Sequence, residues 1–143
     1  MSYSDQIWGK PEPPIEILGE SIKHLGVAHW THRMMFAGFQ DWLLRKYTRT
    51  FPVTIKNKKS WHPIFVLKAY PSYAHKVCPC TSKYKPKTPY IRAGCVLEHT
   101  GKTLTRTSFI LEKLSFNIPE DAKVIDELKY TGRVPEECIK KNS

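Results

Sequence analysis

Five side chains in this sequence are the most able to do chemistry: two adjacent hydroxyls, Thr81 and Ser82, an arginine with a hydroxyl two positions on, Arg106 and Ser108, and one histidine, His62. A guanidinium is a planar fork that matches two oxygens of a phosphate. Hydroxyls donate and accept single hydrogen bonds, and an imidazole can take or give a proton near neutral pH. Together such groups suit the binding of a phosphodiester and a proton transfer beside it. Each also has an ordinary use. Arginines form surface ion pairs, hydroxyls finish strand ends, and a histidine beside Trp61 serves packing. The case therefore depends on whether the fold brings the five together.

The elements that must do so are legible in outline. Residues 64–67 are Ile, Phe, Val and Leu without a polar break, which predicts a strand over 64–69 covered on both faces. A second strand over 76–80, after a loop with Pro71 and Ser72, delivers Thr81 and Ser82 to the surface. Further strands are expected over 51–56, 92–98 and 104–114, and the last places Leu104, Arg106 and Ser108 on one face. Gly101 permits the turn at 99–102. Met35, Phe39, Trp42 and Leu43 recur at helical spacing, predicting a helix over 31–48 with Thr31 as its cap and its apolar stripe in the core. Pro119 opens a helix over 120–129 that Gly132 stops, and Pro135 opens a short last one. Residues 1–14 form an irregular lead-in, and Gly19 breaks the segment 15–25. The whole reads as one domain, mainly β with helical additions (α+β), a small and strongly bent barrel with its core over 51–139.

Composition narrows the partners. Lys and Arg number 23 against 13 for Asp and Glu, a net charge of +10, which favours a polyanion. Lys58 and Lys59 precede the first central strand. Lys83, Lys85, Lys87 and Arg92 follow the hydroxyl pair, with Tyr84 and Tyr90 interleaved as stacking platforms of the kind single-stranded nucleic acid uses. An ordinary solvated basic loop has the same composition. No apolar run reaches the length of a membrane span, and 1–14 lacks a basic head with an apolar stretch, so the expectation is an intracellular, cytoplasmic protein. Cys78, Cys80, Cys95 and Cys138 are then expected as buried thiols rather than disulfides. Cys78 and Cys80 with Cys95 and His99 do not have the spacing of the usual zinc folds, and no metal or other cofactor is expected. Neither a nucleotide-phosphate motif, a Gly-x-Ser-x-Gly elbow nor a paired-carboxylate constellation occurs.

The order of the pieces resembles one known family. Trp61-His62-Pro63-Ile64-Phe65-Val66-Leu67, then Val77-Cys78-Pro79-Cys80-Thr81-Ser82, then Leu104-Thr105-Arg106-Thr107-Ser108-Phe109-Ile110, then Gly132-Arg133-Val134-Pro135-Glu136 is similar to the PemK/MazF toxin endoribonucleases over about residues 61–139. The resemblance implies an SH3-like barrel, a homodimer, metal-independent cleavage of single-stranded RNA and an acidic antitoxin as partner. His62 stands where the family has an arginine, and Ser108 where it often has an acid. Carried onto this chain, Arg106 would neutralise the phosphorane, Thr81 and Ser82 would hydrogen-bond the scissile phosphate, and His62 would serve as acid or base, with His75 and His99 as spare candidates. Two other readings fit the same residues: a barrel that binds nucleic acid without cleaving it, and a protein-interaction module built on the aromatic helix.

Overall fold

The structure is a computed structural model that describes residues 30–51, 61–69, 74–119 and 122–141. The lead-in 1–14, the segment 15–25, nearly all of the expected strand 51–56, and Lys58 and Lys59 lie outside the described residues. The elements are β1 (Met34–Gln40), α1 (Asp41–Thr48), β2 (Trp61–Ala69), β3 (Ala74–Thr81), β4 (Tyr90–Ile91), β5 (Ser108–Ile110), β6 (Phe116–Pro119), β7 (Lys129–Arg133) and β8 (Ile139–Lys140). Every pairing is antiparallel, in the order β7-β1-β2-β3-β5-β4-β8 with β6 also on β3. Among the described residues the chain is mainly β, one curled sheet with one α-helix. Among the described residues no helix is long and apolar enough to cross a membrane.

The unbroken apolar runs are explained by two cores, one on each face of the sheet. Met34, Phe36, Ile64, Val66 and Val77 join Trp30 and Tyr130 in the first. Met35, Phe65, Cys78 and Cys80, the alternate positions of the same strands, join Ile91, Leu97 and Ile110 in the second. Since successive side chains of a strand point to opposite faces, a strand buried on both must be apolar throughout, as 64–67 is.

The helix expected over 31–48 is half strand. Its first half is β1, and only Asp41–Thr48 is helical. Between the pairs Phe36↔Ile64 and Phe39↔His62, Ala37 and Gly38 face the single residue Pro63. This is a β-bulge. Pro63 lacks an N–H to give the ladder, and Gly38 takes the φ of +101° the extra residue needs. The bulge puts Phe39 in the first core with Phe36, three residues before it, and so imitates a helical period. Trp42, expected in the core, is 52% exposed. Gln40, not Thr31, precedes the first helical residue, and its side chain makes no capping bond.

Other boundaries move too. The strand expected over 92–98 is an irregular excursion with isolated bridges Val96↔Thr103 and Glu98↔Arg133. The one over 104–114 keeps only Ser108–Ile110 and then enters a 3-10 turn, Glu112–Leu114. The two late helices are 3-10 turns, Lys123–Glu127 and Glu136–Cys138. Gly132 ends no helix; it lies inside β7 at φ +137°. A Cβ there would stand 2.7 Å from Leu97 Cβ, 2.8 Å from Thr100 Oγ1 and 2.9 Å from the Glu98 carbonyl oxygen. Backbone strain and overlap add, so Gly132→Ala is expected to lose on the order of 3 kcal/mol, read as a lower midpoint in urea unfolding. An unchanged midpoint would show that β7 can move away from the excursion.

Candidate active site

The bulge opens a hollow beside it. Ala37, Gly38 and Pro63 form one wall of a cavity of about 420 Å³ whose other walls bring Trp61, His62, Ser82, Arg106 and Ser108 together, with Thr131 of β7. Four of the five side chains singled out from sequence therefore share one concavity, although they come from the start of β2, the end of β3 and the approach to β5. The convergence has a simple cause. β1 pairs with β2 and β2 with β3, so the bulged end of the β1–β2 ladder lies next to the exit of β3.

His62 is the best-determined member. Its Nδ1 lies 2.5 Å from Asp41 Oδ1, and the Asp41 side chain is only 9% exposed. A carboxylate only accepts, so Nδ1 carries the hydrogen and Nε2 is the nitrogen left to a ligand. Asp41 is the first residue of α1, where the helix dipole favours an anion. The Phe51 ring meets the imidazole edge-on at 4.9 Å. The buried carboxylate and the packed ring together fix the orientation of the imidazole. Sequence reasoning missed Asp41. It lies 21 residues from His62, and no local spacing links the two; only the β1–β2 pairing and the turn into α1 bring them together.

Arg106 is exposed on the cavity rim. Among the described residues no ion pair joins it to a carboxylate, so its charge is available to a ligand. Its loop is braced at its base: Gly94 N–H donates to the Leu104 carbonyl at 2.7 Å, and Leu104 N–H to the Cys95 carbonyl at 2.9 Å. Ser108 is buried, and its hydroxyl reaches the Cys80 thiol behind the wall. Burial pushes the Cys80 thiol up from its ordinary 9.0 to about 12, with the Ser108 hydrogen bond pulling weakly the other way. Burial likewise raises Cys78, and the neighbouring Cys80 adds to it.

Thr81 lies apart from this group. As the residue before Ser82 it points the other way, into a neighbouring cavity of about 300 Å³ with Phe51, Lys83, Lys85, Leu111 and Leu114. Its hydroxyl accepts the Lys83 N–H at 3.2 Å. His62 lines both cavities and stands between them. The spare histidines are elsewhere: His75 is fully buried against Trp30, and His99 Nδ1 bonds the Tyr130 hydroxyl at 2.6 Å. Of the basic candidates, Lys83, Tyr84, Lys87 and Arg92 are exposed, and Lys85 and Tyr90 half-buried. Tyr84 and Tyr90 both pack on Phe109, at 5.5 and 5.6 Å between ring centroids.

The cysteine expectation is overturned for one pair. Cys95 and Cys138 form a disulfide with Cα atoms 5.9 Å apart, whereas Cys78 and Cys80 are buried free thiols. Partners so far apart in sequence could not be picked from spacing. The bond also takes Cys95 out of any set with Cys78, Cys80 and His99, and no group of metal-binding side chains occurs among the described residues. A larger groove of about 490 Å³ along Trp30, Thr31, His32 and residues 67–69 contains none of the five candidate side chains. In comparisons with known proteins, no family model, curated protein or solved structure matches this chain.

Proposed function

We propose that this protein is an endoribonuclease that cleaves single-stranded RNA without a metal, in the manner its sequence resemblance to the PemK/MazF toxins implies. One observation carries the reading: a histidine oriented by a buried aspartate shares a cavity with an arginine that has no acidic partner among the described residues. In the reaction the ribose 2′-hydroxyl attacks the adjacent phosphorus and the 5′-oxygen leaves. His62 Nε2 takes the 2′ proton, and the imidazolium so formed is the source of the proton the 5′-oxygen needs. Arg106 spans two phosphoryl oxygens where negative charge grows. Ser82 hydrogen-bonds the same group from the opposite wall, and Thr81 acts from the adjoining cavity. Trp61, 53% exposed at the rim, offers a face for a base to stack on. In this reading the curled sheet is an SH3-like barrel, the +10 surface serves RNA and an acidic antitoxin alike, and two copies associate as a homodimer.

The test is incubation of the purified chain with a long RNA in the presence of EDTA. Cleavage is expected, and Arg106→Ala should lower its rate by about a hundredfold, the usual loss for one preorganised charge-stabilising donor. Cleavage undiminished in that variant would sink the assignment.

Tyr84, 66% exposed beside Lys83 and Lys85, favours a second reading, binding without cleavage. It predicts RNA affinity that falls steeply with salt while the RNA stays intact.

A further inference from the structure

We infer that the cavity holding Thr81 is a second nucleotide subsite, occupied by the residue next to the bond at His62, so that the protein grips a run of single strand rather than one nucleotide. The inference rests on the nuclease reading for the position of the bond, but its binding chemistry stands by itself.

The two cavities are joined at one side chain. His62 lines both, and the hydroxyls of Ser82 and Thr81 divide between them because neighbouring residues at a strand exit point apart. A strand whose phosphate lies at Arg106 and His62 therefore continues over the imidazole into the second cavity. That cavity suits a nucleotide. Leu111 and Leu114 are half-buried apolar surface for a base, the buried Phe51 completes the nonpolar lining, and Lys83 and Lys85 bring cations for its phosphate. Its volume of about 300 Å³ is at the lower end for small-molecule sites. Phe51 is 3% exposed and its N–H donates to Thr48 Oγ1 at 3.0 Å.

The track goes on. Leu111 and Leu114 also line a third depression of about 140 Å³ that reaches Lys87 and Lys113. Glu112 lines it too, leaving one positive charge in excess. It is less than half the volume of the second cavity and matches a phosphate or ribose rather than another base. The sequence of hollows from Arg106 to Lys87 is thus a path with cations at each step and a nonpolar rest in the middle, the arrangement by which single strands are held without reading of base edges.

The test uses the unaltered full chain, with a 2′-deoxy first sugar in the dinucleotide so that it survives, and the leucine methyls followed by NMR. Uridine 5′-monophosphate is expected to shift Leu111 and Leu114, and inorganic phosphate at equal concentration is not. Uridylyl-uridine 5′-phosphate should bind about tenfold tighter than the mononucleotide if both cavities are filled by one strand. Changing Lys83 to Gln should flatten the dependence of log affinity on log salt by about 0.7 for a longer single strand. Leucine methyls silent to nucleotide, or moved as much by phosphate alone, would overturn the inference. Equal affinity for mono- and dinucleotide would overturn the continuous path. The nuclease reading fails separately: nucleotide binding at Leu111 and Leu114 with no RNA cleaved by the unaltered protein would leave the subsite and remove the enzyme.

Discussion

His62→Ala is expected to slow RNA cleavage by about a thousandfold, in the middle of the range for loss of a positioned general base, while RNA binding weakens little. The asymmetry follows from the geometry. Affinity for a single strand comes mainly from cations along its backbone, and His62 is one group among Arg106, Lys83, Lys85 and Lys87. The chemical step needs an acceptor for the 2′ proton, and His62 is the titratable side chain that lines both cavities. Asp41→Asn provides the finer test. An amide still fills the space beside Nδ1, but it can present its NH2 and stabilise the other tautomer, so the lone pair moves away from Nε2. The expected result is slower cleavage with RNA affinity and thermal stability unchanged. A purely structural role for Asp41 would lower the thermal stability along with the rate. If cleavage by His62→Ala stays within about threefold of the original, the base assignment is wrong.

Opening the Cys95–Cys138 bond is expected to cost about 4 kcal/mol of stability, from the loop-closure entropy of cysteines 43 residues apart. For a chain of this size that is a fall of about 15 °C in Tm, measured by thermal unfolding with and without reductant. The double change Cys95→Ala with Cys138→Ala checks that the effect belongs to this bond. The loss should also reach the site. Cys95 lies beside the backbone hydrogen bonds at the base of the Arg106 loop, and Arg92 N–H donates to the Cys138 carbonyl at 3.1 Å. Cutting the bond frees both anchors of that excursion. Cys78 and Cys80 belong to the same core, but thiolates are the attacking species, and these thiols stay protonated, Cys80 up to about pH 12. Burial therefore disfavours their attack on the cystine. A Tm indifferent to reductant would mean that the excursion is held by its backbone hydrogen bonds alone.

Thr81 and Ser82 were identifiable because a strand end follows from the apolar run before it, whereas Arg106 and Ser108, expected inside a strand over 104–114, lie in the loop before β5 and at its first residue. The runs at 64–67 and 76–80 became the paired strands β2 and β3, with Thr81 the last residue of β3 and Ser82 immediately beyond it. The reading of 31–48 failed for an equally physical reason. A bulge at Ala37 and Gly38 changes a strand's phase by one residue, and a strand plus a bulge plus a helix has the same apolar spacing as one long helix. The strands expected at 92–98 and 104–114 failed because the backbone there bonds across the excursion, as Leu97 to Lys102, and along a short β5, which residue type alone does not specify.

Read alone, the residues specify a mainly β chain with a net charge of +10, apolar strands buried on both faces, hydroxyls at the end of one of them and an imidazole just before another. Only the tertiary structure decided which of them meet: that Asp41 orients His62, that Ser82 and Arg106 share its cavity while Thr81 turns into the next, and that Cys95 bonds Cys138. Local preferences act over a few residues, whereas these meetings join groups tens of residues apart. They are set by strand register and by one bulge, and register is a property of the paired sheet that no single stretch of chain contains.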